Sequence, residues 1–195
     1  MLINPYTPGA GKTPAYLAGR DNTIAKAEEA LVYMQSGSLD EHDAKEAITR
    51  PAENRGVSYK PTAVNDIVKL TEGYPYFIQE FGKQVWQYIE NNAIDDQAIE
   101  KALPGFHQSL DNSFFRVRFE RATPKEKEFM HAMVACGDLP CTLASVAKNM
   151  KSTTKTISPI RANLIHKGFI YPTRYGEIDF TVPQFDLFLK RMETA

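Results

Sequence analysis

Residues 143–182 read LASVAKNMKSTTKTISPIRANLIHKGFIYPTRYGEIDFTV, and the order of patterns in this stretch decides the fold. Val146 and Ala147 are the apolar positions of a short helix from Leu143 to Met150, and Lys151-Ser152 makes a turn. A helix from about Thr153 to Lys167 follows, with Ile157, Ile160, Leu164 and Ile165 on one face at helical spacing. Pro159 either kinks this helix or, with Ser158 as cap, restarts it. Gly168 ends it. Phe169-Ile170-Tyr171 reads as a strand and Thr173-Arg174-Tyr175-Gly176 as a turn. Ile178, Phe180 and Val182 alternate as a returning strand.

Working outward, Thr123-Pro124-Lys125-Glu126 is a capping-box pattern: the Thr123 hydroxyl can bond the Glu126 amide while the Glu126 carboxylate reaches back. It opens a helix carrying Phe129, Met130, Met133 and Val134 that stops at Gly137. On the far side Phe185, Phe188, Leu189 and Met192 form a closing helix. Helix, helix, helix, hairpin is the order of a winged helix-turn-helix, expected over residues 121–195. In that arrangement the third helix can lie in a DNA major groove. Its outward positions offer Lys155, Thr156, Ser158 and Arg161. Lys148 and Lys151 flank the preceding turn, and Arg174 stands at the hairpin tip.

The formal charge of −1 points to no particular partner, but its distribution does. Residues 123–195 hold ten Lys and Arg against seven Asp and Glu, while the rest of the chain holds thirteen against seventeen. From Lys148 to Arg174 there are six basic residues and no acid. Clustered cations on one recognition element are the electrostatic footprint of nucleic acid. Lys148, Lys151, Lys155, Thr156, Ser158, Arg161 and Arg174 are therefore the candidate DNA-binding residues, with double-stranded DNA as the expected partner. The competing class is a protein-interaction or regulatory module whose basic face is merely solvated or packed on other domains. A second cluster, Arg116, Arg118 and Arg121, alternates with Phe115 and Phe119 and is expected to pair with acids of the helical region before it.

That region, 40–120, has a helical pattern throughout. Asp40 can cap a helix holding Ala44, Ala47 and Ile48, with Pro51 as a bend or break and Gly56 as its end. A second helix runs from Pro61 to Thr71 and stops at Gly73. Pro75 suits a first helical position, and Phe77, Ile78, Phe81, Val85, Tyr88 and Ile89 form one broad apolar face behind it. A segment opening at Asp95 is interrupted at Pro104-Gly105, and a last helix runs through Phe106, Leu110, Phe114 and Val117. No strand pattern appears before residue 168. Residues 1–39 read as a Pro- and Gly-rich arm followed by a helix from about Asn22 to Gln35, broken by Ser36-Gly37-Ser38. The expected fold is thus mainly α: an arm and helix (1–39), a helical domain (40–120) and a winged helix (121–195).

The composition is that of a globular protein, with 43% hydrophobic and 24% charged residues over 195 positions, which excludes a disordered tail, a collagen-like repeat and a disulfide scaffold. No apolar run approaches the roughly 18 residues a membrane span needs. Two cysteines and an amino terminus without the regions of an export signal lead to the expectation of a reducing cytoplasm.

Little suggests catalysis. Gly9-Ala10-Gly11-Lys12-Thr13 resembles the end of a phosphate loop, but the first glycine of GxxxxGK[ST] would fall on Tyr6, and Pro14 follows at once. Cys136 and Cys141 lack a second ligand pair for zinc. His42, His107, His131 and His166 match no metal or triad spacing, and Glu28-Glu29 and Asp95-Asp96 read as solvated helix ends. The expectation is no catalytic residue, no cofactor and no metal, with a residual ATP-binding protein as a third alternative.

Several segments together resemble a family of bacterial AAA+ ATPases related to the origin-recognition and STAND groups. Asn4-Pro5-Tyr6-Thr7-Pro8-Gly9-Ala10-Gly11 and Leu17-Ala18-Gly19-Arg20-Asp21 are similar to the segment leading into that family's nucleotide site. Thr71-Glu72-Gly73-Tyr74-Pro75-Tyr76-Phe77, Ser113 to Phe119, Arg161 to Ile165 with Lys167-Gly168, and Phe180-Thr181-Val182-Pro183 are similar to its helical lid and winged helix. The resemblance implies an ATPase core between the arm and the lid, yet here Ser36-Gly37-Ser38 leads directly to Leu39-Asp40. Without that core the chain lacks hydrolytic machinery. It is either an engineered deletion or a natural relative without the core. The resemblance also implies lid surface left open to a second copy or another protein, with Ile24, Leu31, Tyr74, Tyr76 and Phe77 as candidates.

Overall fold

The computed structural model describes residues 4–6, 37–173 and 176–194. The expected helix 22–35, the Gly9–Thr13 and Leu17–Asp21 segments, Ile24, Leu31, and the hairpin-tip residues Arg174 and Tyr175 lie outside them. The described chain is mainly helical with small sheets, and it divides into two compact units, 1–111 and 112–195.

In the first unit, helix α1 (Glu41–Glu53) starts where the Asp40 carboxylate accepts from the Asp43 amide at 2.8 Å. Helices α2 (Pro61–Thr71) and α3 (Pro75–Val85) each begin with proline, whose missing N–H is no loss in a first turn. Helix α4 (Asp96–Ser109) is capped by Asp95. Gly73, at φ +67°, follows α2, and its carbonyl accepts from Leu39 N at 2.8 Å. Ile48, Ile67, Phe77, Phe81 and Phe106 are fully buried between these helices. Phe106 meets Phe81 edge-on at 5.1 Å and Phe77 at 6.3 Å.

The structure corrects several expectations here. Pro104-Gly105 does not interrupt: α4 runs through it, because Phe106 and Leu110 beyond the proline are both held in the core. Pro51 likewise lies inside α1. The helix from Pro75 stops at Val85, and Trp86–Tyr88 is a 3₁₀ turn. Strands do occur before residue 168: β1 (Ser58–Tyr59) pairs in parallel with β2 (Ala93–Ile94). Two-residue strands are too short for an alternating pattern to be readable. Phe77 is not open lid surface but core, while Tyr74 and Tyr76 are half-buried.

The π-helical segment Leu110–Phe115 leads into the second unit's short helix α5 (Arg116–Phe119), followed by α6 (Pro124–Val134). The capping box at the start of α6 is present in full: Glu126 N donates to Thr123 Oγ1 at 3.4 Å, and Thr123 N donates to Glu126 Oε2 at 2.7 Å. Strand β3 (Cys141–Thr142), helix α7 (Leu143–Asn149) and helix α8 (Thr154–His166) come next. Strands β4 (Ile170–Pro172) and β5 (Glu177–Phe180) and helix α9 (Phe185–Thr194) complete the unit. The antiparallel sheet has the order β3-β5-β4, with Cys141 opposite Ile178 and Ile170 opposite Phe180. The hairpin was expected; β3 was not, again for want of length.

Pro159 does not restart α8, whose cap is Thr153. Of its expected inward face, Ile157 and Leu164 are buried and Ile160 and Ile165 half-buried. Phe115 stacks on Phe188 at 5.2 Å and contacts Phe185, so the aromatic end of Ser113–Phe119 belongs to this core. Val117 is exposed. Arg118 donates to the Gly168 carbonyl and lies over the Phe169 ring at 5.4 Å. Arg116 and Arg121 are exposed.

Candidate nucleic-acid interface

The end of α7, the turn after it and the first turns of α8 form one continuous basic element. Apolar burial sets its geometry: Val146, Ala147, Ile157 and Leu164 face the core, leaving Lys148, Lys151, Lys155, Thr156 and Ser158 outward. The turn is closed by backbone bonds from Lys151 N to the Lys148 carbonyl at 3.0 Å and from Ser152 N to the Ala147 carbonyl at 2.9 Å. Lys151 takes φ +49°, a left-handed conformation that reverses the chain between the helices. Thr153 then caps α8, accepting from Thr156 N at 3.3 Å.

Lys148, Lys151, Lys155, Thr156 and Ser158 are all exposed. The two hydroxyls are locally engaged: Thr156 Oγ1 lies 2.9 Å from Thr153 Oγ1, and Ser158 Oγ donates to the Thr154 carbonyl at 2.7 Å. Arg161 is half-buried, and its Nε is a buried donor with no partner among the described residues. The cations are therefore the groups available to a phosphate.

Charge pairing separates these lysines from the others in the unit. Lys125 is 2.7 Å from Glu128, Lys127 3.1 Å from Glu120, Lys167 2.7 Å from Glu126 and Lys190 3.3 Å from Asp186. Lys148, Lys151 and Lys155 hold no carboxylate among the described residues, in a stretch without any acid. The amino-terminal end of α8 adds its own partial positive charge. A polyanion meeting this surface displaces no internal ion pair.

Elsewhere the chemistry is sparse. The thiols of Cys136 and Cys141 are free and adjacent; burial, reinforced by Cys136, pushes Cys141 up to about 12, so it stays a thiol at neutral pH. Asn149 Nδ2 donates to Cys136 Sγ at 3.3 Å, tying the end of α7 to the loop after α6. Asp40, His42 and Asp43 place ligand atoms within 4.8 Å of one another, the only such group of three or more among the described residues. The Asp40 carboxylate there already caps α1, and the positive end of that helix opposes a cation.

Sequence reasoning missed the position of Tyr6. The sequence reading takes it as the residue that spoils a phosphate loop and as part of the arm resembling an AAA+ entry segment, whereas it is buried in a slot of the first unit formed with Gly82 and Trp86. Gly82, a glycine within the helix that carries the broad apolar face, is the signal that could have indicated this.

No curated protein matches the chain. Residues 112–189, which start where the second unit starts and take in the whole basic element, match the family model of a domain of unknown function, DUF8462.

Proposed function

We propose that the second unit is a winged helix-turn-helix that binds double-stranded DNA through the α7–turn–α8 element, and that the first unit is a lid-like domain of the AAA+ type acting here without nucleotide turnover. The order of three helices and a hairpin, with a sheet ordered β3-β5-β4, supports the winged-helix reading. The observation that carries the DNA reading is the set of three exposed lysines, without carboxylate partners among the described residues, on the element that would face the groove. Lys148 and Lys151 serve as phosphate contacts, and Lys155 and Arg161 sit closest to the bases.

Phosphate contacts release counterions, so log K falls with log salt by about 0.9 for each contact on duplex DNA. Anisotropy of a labelled duplex across a salt series tests the reading. The wild type binds at low salt with a steep slope. A triple variant of Lys151, Lys155 and Arg161 to alanine binds weakly, with a slope flatter by about 0.9 for the lost Lys151 phosphate contact. Equal binding by wild type and triple variant would overturn the DNA reading. The protein-interaction reading, favoured by the exposed apolar side chains of Val117 and Leu187 on the same unit, would then replace it.

A further inference from the structure

We propose that the first unit carries a recognition slot for an Asn-Pro-Tyr tripeptide, filled by residues 4–6 of its own chain and able to accept the same tripeptide from a second copy. Each of the three residues is read. Asn4 Nδ2 donates to the Lys83 carbonyl at 3.0 Å, while Asn4 Oδ1 accepts from Tyr6 N at 3.0 Å and folds the tripeptide into a turn. Pro5 is buried. The Tyr6 side chain is buried, with its ring edge-on to Trp86 at 5.9 Å. Its hydroxyl donates to the Ile48 carbonyl and lies 2.8 Å from the Tyr59 hydroxyl. With the Tyr6 proton given to the carbonyl, Tyr59 donates to Tyr6, and the polar end of the slot is satisfied.

The slot is built at a cost to the helix that forms it. Gly82 lies inside α3, where glycine is less favourable than alanine. A methyl group on Gly82 would overlap the Tyr6 ring, so the missing side chain is what admits the tyrosine. The contact joins segments 79 residues apart in sequence. None of the bonds depends on the tripeptide belonging to the same chain, and exchange of an identical segment between copies is a low-cost route to association. The connecting chain gives the arm in cis a high effective concentration, so the wild-type slot is self-filled.

Trp86 is the chain's single tryptophan and reports on the slot directly. In the full-length Tyr6→Ala chain its emission shifts to the red as water enters. Titration with a peptide of residues 1–8 reverses the shift saturably. The same peptide with alanine in place of tyrosine does not, and Gly82→Ala added to Tyr6→Ala abolishes the response. A folded Tyr6→Ala chain that shows no saturable response up to millimolar peptide overturns the proposal. Should Tyr6→Ala not fold, the full-length Tyr6→Phe chain, which keeps the ring and loses the hydroxyl's bonds, is titrated with the fluorescein-labelled peptide. Binding at least tenfold tighter than to wild type supports the slot, and binding no tighter than to wild type overturns it.

Discussion

Glu126 is buried, and its carboxylate is pulled two ways. Burial alone would raise its pKa, but the Lys167 ammonium at 2.7 Å and the Thr123 amide at 2.7 Å hold it below the ordinary glutamate value. The folded form therefore prefers the charged group more than the unfolded chain does. The stability this contributes is present above the ordinary glutamate pKa of about 4.3 and is lost as pH falls through the depressed folded value. Removing the side chain frees the Thr123 donor and leaves Lys167 without its partner. Glu126→Ala is expected to destabilise the second unit by about 1–3 kcal/mol at neutral pH. Urea unfolding at pH 7 and at pH 3 checks this: the gap between variant and wild type narrows at the lower pH, and a gap independent of pH would contradict the ion-pair account. The Thr123–Glu126 spacing was legible in sequence because a capping box is local; Lys167, 41 positions away, was not.

At the scale of elements, the helices inferred from periodicity largely form where expected, and the differences cluster at prolines. Pro51, Pro104 and Pro159 each lie inside a continuous helix. A proline removes one N–H and crowds the carbonyl four residues before it, but buried side chains on both sides hold the helix together at that local cost. In α8 that carbonyl belongs to Lys155, on the basic element itself. Ser158 Oγ bonds the carbonyl of Thr154 next to it. Pro159 is exposed, so Pro159→Ala restores a backbone bond without disturbing the core. It is expected to stabilise the second unit by on the order of 1–3 kcal/mol. Thermal unfolding followed by circular dichroism measures this, and a lower melting temperature would mean that the proline-shaped helix is required by its packing.

On the scale of the whole molecule, two cores rather than one support the chain. Phe77, Phe81 and Phe106 anchor the first, and Phe115, Phe129, Phe185 and Phe188 the second. The family match begins at residue 112, at the same border. Residues 112–195 expressed alone are therefore expected to fold and melt cooperatively, with Phe129→Ala costing roughly 3–5 kcal/mol as a large-to-small change in a closed core. A non-cooperative melt, or poor dispersion of amide signals, would show that the second core needs the first unit.

The sequence by itself determined the helical class, the caps at Asp40 and Thr123, the hairpin of β4 and β5, and the acid-free basic stretch. All of these are local patterns of a few residues, where spacing alone sets which side chains meet. Only the tertiary structure decided the rest. Strands β1, β2 and β3 exist because distant backbone groups find each other, not because of any pattern two residues could carry. Phe77 is core and not open surface because α4 brings Phe106 against it. Which lysines are free is also a tertiary fact, since Lys167 meets Glu126 from 41 positions away while Lys151 and Lys155 meet no carboxylate among the described residues. Tyr6 gained its role for the same reason: its partners Ile48 in α1, Tyr59 in β1, Gly82 in α3 and Trp86 in the turn after it are brought together by the fold of the first unit.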